Sequence, residues 1–167
     1  MKIAEILDKI SKIEGCKLLE KTEWVKETDL PEDLEYFFNH YGGIELFTDK
    51  PYGITIVGGN GFTNANKTFF PEDDVIWDEL EDDISNSWYI IAKAEHLSQY
   101  ISMDTAKERL GWCYDSFTET HATEGESPII AKSFTELLER LLSTEGDYWF
   151  WLEDDFKPYG DAYPEKE

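Results

Sequence analysis

The stretch Leu30–Gly43 constrains the fold of this chain most strongly, because it carries the signals for both ends of one short helix. Pro31 suits the first turn, where its missing N–H would have no partner in any case. Apolar residues recur at positions i, i+3, i+4 and i+7 and form one stripe: Leu34, Phe37, Phe38 and Tyr41. Gly42–Gly43 favours a left-handed residue just after the helix, and Leu30 can fold back onto the first turn. The stretch therefore predicts an amphipathic helix that presents two phenylalanines to a core.

Two further helices are predicted, one before this stretch and one near the end of the chain. The first carries apolar residues at helical spacing and ends near Gly15: Ile3, Ile6, Leu7, Ile10 and Ile13. The last begins at Ser133 and Glu136, which form a capping box. Its apolar face is made by Phe134, Leu137, Leu138, Leu141 and Leu142.

Between the second and third helices, short apolar segments alternate with turn-forming residues, as is typical of strands. We predict strands at Ile44–Phe47, Gly53–Val57, Trp88–Ala92, Gln99–Asp104, Gly111–Asp115 and Pro128–Lys132. The first two flank a turn and form a hairpin, and Gln99–Asp104 alternates as a half-buried strand does. The segment from Gly58 through Asn66 is predicted to be a loop. The pattern of Cys16–Thr28 is ambiguous and predicts either an extended connection or a short strand.

The order of these elements predicts an α+β fold, a single domain with a mainly antiparallel sheet flanked by helices. A chain of 167 residues is long enough for one such core. We expect residues 1–145 to form the domain. Residues 146–167 form an aromatic and acidic C-terminal extension, which we expect to pack on the domain and to fray at its end.

Acidic residues dominate the composition, with 37 Asp and Glu against 15 Lys and Arg and a formal net charge of −22. Nucleic acid is an unfavourable partner, because its binding depends on Lys and Arg that neutralise phosphates. Anionic membranes are unfavourable for the same reason. A basic protein is the natural complement, since opposite fields speed encounter. The alternative is that the acidity only keeps the protein soluble.

The cysteines and the N-terminal sequence indicate the cellular compartment in which the protein is expected. Cys16 and Cys113 lie far apart and form no CxxC motif, as is usual in the reducing cytosol. The first residues follow a charged amphipathic pattern unlike a signal peptide, and no apolar run approaches the length of a membrane span. We therefore expect a cytoplasmic protein.

Four segments, taken in order, resemble one protein family. They are Leu30–Leu34 with the closing Gly42–Gly43, Ile90–Ala92, Tyr100–Asp104 leading to Gly111–Tyr114, and Ala131–Leu138. Their order and spacing resemble the SUKH superfamily, which includes a yeast regulator of cell-wall synthesis and many bacterial immunity proteins. The resemblance covers roughly residues 1–145. It implies an α+β domain with an antiparallel sheet, and a small cytoplasmic protein that neutralises a cognate toxin, commonly a nuclease or deaminase.

The densest part of the negative charge is Glu72–Asp83, with eight acidic and no basic residues among twelve. The apolar residues within and just after it are spaced to give a helix one apolar face: Val75, Ile76, Trp77, Leu80 and Ile84. A solvated helix face is the ordinary explanation of such a run. However, like charges in neighbouring turns repel one another and gain no pairing. This cost makes the run a candidate for function.

An acidic surface can dock on a basic nuclease in place of nucleic acid, because such an enzyme holds Lys and Arg near its active site. The candidate partner-binding residues are Glu72, Asp73, Asp74, Trp77, Asp78, Glu79, Asp82 and Asp83. Trp77 and the extension's Trp149 and Trp151 have the chemistry of interface anchors. The alternative for each tryptophan is a place in the core.

No pattern for catalysis or cofactor binding stands out. His40, His96 and His121 are scattered, and none has a recognised zinc spacing. Gly58–Gly61 lacks the residues of a phosphate-binding loop, so we interpret it as a turn. The acidic pairs of Glu72–Asp83 do not follow the calcium-loop pattern. We expect no enzymatic activity, no catalytic residues, no metal site and no cofactor.

The leading hypothesis is a cytoplasmic immunity protein that binds a basic, nuclease-type toxin and blocks it by stoichiometric occlusion. The alternative is an intracellular scaffold or regulatory module with an endogenous protein partner. An enzyme is a third hypothesis, which would need a convergent acid–base set that the sequence does not display.

Overall fold

A computed structural model describes residues 2–70 and 82–163 of the chain. Four α-helices lie in these ranges: α1 (Ile3–Ser11), α2 (Glu32–His40), α3 (Ala65–Phe69) and α4 (Phe134–Ser143). Seven strands lie in them as well: β1 (Cys16–Glu20), β2 (Tyr41–Leu46), β3 (Ile54–Val57), β4 (Trp88–Ala94), β5 (Gln99–Asp104), β6 (Cys113–Asp115) and β7 (Ile129–Ala131). The predicted helix over Glu72–Asp83 falls mostly on residues 71–81, which lie outside the described ranges.

The seven strands form one sheet in the order β1-β2-β3-β4-β5-β6-β7, and every neighbouring pair is antiparallel. Each strand therefore pairs with its neighbour in sequence. Short connections join β2 to β3, β4 to β5 and β5 to β6, whereas the connection from β1 to β2 contains α2 and that from β3 to β4 contains α3. The predicted α+β class with an antiparallel sheet is confirmed, and so is the hairpin between β2 and β3. The ambiguous segment after α1 begins with strand β1, which forms one edge of the sheet.

Helices α1, α2 and α4 pack against one face of the sheet and form the main core. Each buries most of its predicted apolar stripe: Ile6, Leu7 and Ile10 in α1; Leu34, Phe37 and Phe38 in α2; and Phe134, Leu137, Leu138, Leu141 and Leu142 in α4. Ile3 and Ile13 of the first predicted stripe are only partly buried, and Ile13 lies beyond the end of α1. The rings of Phe37 and Phe134 lie 5.1 Å apart between α2 and α4. Burial of these side chains supplies most of the driving force for the fold.

A second, smaller core covers the opposite face of the sheet at β4–β7. Side chains alternate between the two faces along a strand; in β6, Cys113 enters the main core and Tyr114 enters the second one. Residues from α3, from the end of the described chain and from the three strands β4, β6 and β7 form it: Ala65, Trp88, Ile90, Tyr114, Ile129 and Ala162. Because this face is covered, five of the six residues of β5 are buried. The prediction of a half-buried strand there was wrong.

The glycine pair after α2 has a different role from the predicted one. Helix α2 ends at His40, and Tyr41, expected on the helical stripe, is already the first residue of β2. A Cβ atom on Gly42 would lie 2.2 Å from the carbonyl oxygen of Glu20 on the neighbouring strand. The predicted left-handed helix cap was therefore wrong: Gly42 is required by close strand packing, and Gly43 by its φ of +147° within β2.

Polar side chains cap the first turns of helices α4 and α3. The hydroxyl of Ser133 accepts a hydrogen bond from the backbone N–H of Glu136 at 3.0 Å, which confirms the predicted cap of α4. The Glu136 carboxylate accepts from the N–H of Lys132 at 2.7 Å, one residue earlier than in a standard capping box. Where a loop was predicted, the side chain of Asn64 caps the short helix α3 by accepting from Lys67 N–H. The turn predicted at Gly58–Gly61 contains a 3₁₀ turn over Gly59–Gly61.

The extension after α4 contributes to the fold in two ways. Trp149, Phe150 and Trp151 are buried in the main core. Further along, the backbone of Ile129 in β7 donates to Gly160 O at 2.8 Å and accepts from Tyr159 N at 3.1 Å. The extension thus covers the β7 edge of the sheet, leaving β1 as the other edge. Residues 164–167, where fraying was expected, lie outside the described ranges.

Candidate functional site

Of the eight candidate partner-binding residues, the structure describes Asp82 and Asp83. The other six lie outside the described ranges: Glu72, Asp73, Asp74, Trp77, Asp78 and Glu79. Asp82 is exposed to solvent, whereas Asp83 is half-buried. The two neighbouring carboxylates are therefore in different environments, and only that of Asp82 lies at an exposed position.

The carboxylate of Asp83 is engaged by three hydrogen-bond donors. The N–H of Ser85 lies 3.0 Å from its Oδ2, and the Ser85 hydroxyl lies 2.5 Å from the same atom. The Tyr163 hydroxyl donates to Oδ2 at 2.6 Å. Burial and the charge of Asp83 raise the pKa of Tyr163, so the phenol keeps its proton at neutral pH. Asp83 thus caps the 3₁₀ turn Ile84–Ser87 and holds the end of the described chain against it.

Asp83 is the end of a chain of buried hydrogen bonds. Ser85 accepts from the Asn66 amide nitrogen at 3.0 Å, and Oδ1 of Asn66 lies 2.7 Å from Nε2 of His121. On the other side of its ring, Nδ1 of His121 lies 3.1 Å from the hydroxyl of Ser116. This series of hydrogen bonds connects α3, the turn after Asp83 and the segment following β6. These are three parts of the sequence that no local pattern brings together.

The direction of each hydrogen bond fixes the protonation of His121. Because the nitrogen of the Asn66 amide donates to Ser85, its oxygen faces the ring, and Nε2 of His121 must carry the proton. Nδ1 then accepts from Ser116. Burial lowers the pKa of His121 to about 4, an effect that the charge of Asp83 offsets only in part. At neutral pH the ring is uncharged, with both nitrogens satisfied.

Sequence reasoning placed His121 in a polar loop and did not find this network. The side chain is only 6% exposed, and its ring lies 4.4 Å from that of Phe69 and 5.7 Å from that of Trp88. Its partner Asn66 is 55 residues away in the chain. The Ser116 hydroxyl beside it is fully buried, so a substrate has no access to this serine–histidine pair.

A second buried network is centred on Asp104, whose side chain is fully buried. Its carboxylate accepts from Tyr114 OH at 2.6 Å, Arg109 Nε at 2.8 Å and Ser87 Oγ at 2.7 Å. The backbone N–H of Ala106 also donates to it, at 2.9 Å. A buried carboxylate needs such partners, because an unpaired one would be costly. Burial, reinforced by the charge of Asp104, raises the pKa of Tyr114 well above its usual value.

The tryptophans of the extension are core residues. Trp149 is 4% exposed and Trp151 is 6% exposed, and their rings stack with centroids 5.2 Å apart. Neither is placed on the surface as an interface anchor. The alternative interpretation, a place in the core, is confirmed for both. Among the described residues, no group of three or more His, Cys, Asp or Glu side chains is arranged to hold a metal ion.

A family model matches residues 16–140 and carries the description SMI1 / KNR4 family (SUKH-1). The chain belongs to this family. The matched range runs from β1 into α4, so the SUKH-1 region contains the entire sheet of the structure. The predicted resemblance to the SUKH superfamily is thereby confirmed. Helix α1 and the extension lie outside the match, yet both contribute buried residues to the main core.

One curated relative matches nearly the full length of the chain. It is "Immunity protein YokJ" of Bacillus subtilis (strain 168), with 36% identity over 166 residues, covering 98% of this chain and 96% of the relative. No solved structure is significantly similar to the chain. None of the described helices has the length and apolar character needed to cross a membrane.

Proposed function

We propose that this SUKH-1 protein is a cytoplasmic immunity protein, which binds a cognate bacterial toxin and neutralises it without catalysis. The observation that carries the proposal is the 36% identity to a protein named as an immunity protein, over almost the whole length of both chains. That relationship favours immunity over the alternative of a scaffold for an endogenous protein.

The proposed toxin is a basic, nuclease-type domain. A formal net charge of −22 gives the protein a strongly negative field, which attracts a cationic surface and speeds encounter. A nuclease carries such a surface where it holds the phosphates of its substrate. Occlusion of that surface by one immunity protein per toxin would stop the reaction by excluding the substrate.

The acidic stretch Glu72–Asp83 is the proposed contact surface. Its proposed binding residues are Glu72, Asp73, Asp74, Trp77, Asp78, Glu79 and Asp82, with Asp83 as a supporting residue. The hydrogen bonds to Asp83 support this division, since three internal donors share its Oδ2 and hold this half-buried side chain against the protein. Asp82, by contrast, is exposed.

The proposal is tested by a pull-down with the tagged full-length protein at low and high salt. The bait is offered its native cytoplasm and the product of the adjacent gene supplied in trans. Stoichiometric capture of a basic toxin domain, weaker at high salt, is the expected result, because exposed charges are screened beyond roughly 10 Å at 0.1 M salt. Capture of an endogenous protein, with the neighbouring product ignored, would instead identify a scaffold.

A further inference from the structure

An open groove lies between the irregular segment that follows β1 and the turn that follows β3. Its volume is about 350 Å³, and Trp24, Val25, Phe38, Phe62 and Tyr89 supply its apolar surface. The Val25 side chain is 78% exposed, the largest exposure among the large hydrophobic residues described. The groove is separate from the buried networks around Asp83 and Asp104.

Aromatic rings form a continuous floor in this groove. The Phe38 ring lies 5.3 Å from the ring of Trp24 and 5.4 Å from that of Phe62, and Phe62 stacks on Tyr89 at 5.1 Å. A Cβ atom on Gly59 would lie 2.5 Å from the Trp24 ring. The absence of a side chain at Gly59 therefore allows the indole to approach the backbone closely. This close approach is a role for Gly59 that its sequence motif did not indicate.

Carboxylates line the rim of the groove. Glu23 and Glu27 are both exposed, and within residues 2–70 and 82–163 neither has a hydrogen bond or an ion pair. The basic residue between them, Lys26, is neutralised by Glu35 at 3.3 Å. Glu27 and Tyr89 both line the groove, and burial, reinforced by the charge of Glu27, raises the pKa of Tyr89.

We propose that this groove receives an arginine side chain of the toxin, an inference that rests on the proposed function. An arginine has an apolar stem that fits an aromatic floor and a planar guanidinium that stacks on aromatic rings. Its five N–H donors match the carboxylates of Glu23 and Glu27 at the rim. An apolar residue next to that arginine packs on Val25. Tryptophan, tyrosine and arginine are the residues that dominate binding energy at interfaces.

Charge complementarity selects this occupant over others. A second copy of the chain also carries a formal net charge of −22 and is repelled by the rim. Anionic ligands are repelled in the same way. A basic toxin is the partner whose charge is complementary to the rim. In this proposal the acidic stretch attracts the toxin at long range, and the groove binds one specific side chain of it.

Calorimetric titration of the full-length protein with the C-terminal toxin domain encoded by the adjacent gene tests the proposal. The variant combines Glu23→Gln and Glu27→Gln, which remove the rim charges from exposed positions. The matched control combines Glu14→Gln, two residues before β1, and Glu20→Gln, at the last residue of β1, and removes the same charge from exposed positions. We expect the groove variant to bind at least tenfold more weakly and the control to change by less than threefold.

The arginine itself is identified by replacing each arginine of the toxin domain with alanine. One such replacement should weaken binding to the wild-type protein yet have little further effect on the groove variant, as a double-mutant cycle requires of contacting residues. Equal binding by the groove variant and the wild type would overturn the groove proposal and leave the immunity function standing. Failure of the wild type to bind the toxin domain would overturn both.

Two other outcomes also overturn the proposal. The first is that no arginine of the toxin couples to the rim carboxylates. The second is that sedimentation shows a dimer of the free protein which the groove variant dissociates, since that result would assign the groove to a second copy of the chain.

Discussion

Nε2 of His121 lies 2.7 Å from Oδ1 of Asn66, and this hydrogen bond joins two segments that are 55 residues apart. From Asn66 the hydrogen bonds continue through Ser85 to Asp83, the last residue of the acidic stretch. The Asn64 side chain, which donates to Asn86 O at 2.9 Å, ties the same two segments together a second time. The segments that precede and follow residues 71–81 are thus held together by polar contacts, of which those of Asn66 with Ser85 and His121 are buried.

Replacing Asn66 with alanine should destabilise the fold. The substitution leaves the Nε2–H of His121 without its acceptor at a buried position, which costs about 1–3 kcal/mol. Urea denaturation followed by circular dichroism measures the change in unfolding free energy. Asn60→Ala, at an exposed position, is the matched control and should change stability by less than about 0.5 kcal/mol. Equal stability of the two variants would contradict the role of the Asn66 side chain.

The buried histidine should make stability depend on pH. The pKa of His121 is about 4 in the folded protein, against about 6.5 for an unperturbed histidine. As the pH falls, the unfolded chain therefore takes up the proton first, and stability falls between about pH 6.5 and about pH 4. Below about pH 4 both states carry the proton and this residue causes no further loss. The whole effect amounts to about 3 kcal/mol.

Urea denaturation of the wild type and of His121→Gln at several pH values isolates this contribution, since all other titrating groups are shared. The stability difference between the two proteins should shrink as the pH is lowered from 7 to 4.5. A difference that stays constant with pH would show that the folded histidine titrates normally.

Replacing Tyr114 with phenylalanine should destabilise the fold, because it weakens the buried network around Asp104. The change removes the hydroxyl that donates to Asp104 at 2.6 Å but keeps the ring, which stacks on Trp88 at 4.3 Å. Loss of a hydrogen bond to a charged group costs about 1.5–3 kcal/mol. Thermal or urea unfolding provides the measurement. Tyr36→Phe removes a hydroxyl from a residue that is 37% exposed and should be nearly neutral.

The extension should be required for a stable core. Trp149 is buried against Tyr52 and Trp151, with ring centroids 5.2 Å away in each case. Trp149→Ala should cost about 3–5 kcal/mol, because it removes buried area and leaves a cavity. Leu152→Ala nearby, at a residue that is 48% exposed, should cost far less. Similar denaturation midpoints for the two variants would mean that the extension adds little to stability.

Charge reversal in the acidic stretch should weaken toxin binding without unfolding the protein, provided that Asp83 is kept. The variant combines Asp73→Lys, Asp74→Lys and Asp82→Lys, and titration calorimetry with the toxin domain should show a loss of at least tenfold in affinity. Unchanged affinity would rule out this surface. Adding Asp83→Lys should unfold the protein more readily, because the Ser85 and Tyr163 hydroxyls and Ser85 N–H then lose their acceptor.

The sequence by itself determined helices α1, α2 and α4, most of the strands and the α+β class, but not the short helix α3. The stripes of α1, α2 and α4 are local patterns, because residues three and four apart share a helix face. The predicted strands succeeded for the same reason, since each pairs with its neighbour in the chain. The capping residue Ser133 acts within one turn of its partner. Such features depend on residues that are close in sequence.

Only the tertiary structure decided the roles of Gly42, His121, Trp149 and Trp151. Gly42 is required because Glu20 on another strand passes too close for a side chain. His121 is buried and neutral because Asn66, far away in the sequence, meets its ring. The tryptophans are core residues because the chain returns to the main core after α4. Each role depends on which distant segments meet in space, and the spacing of residues along the chain does not contain that information.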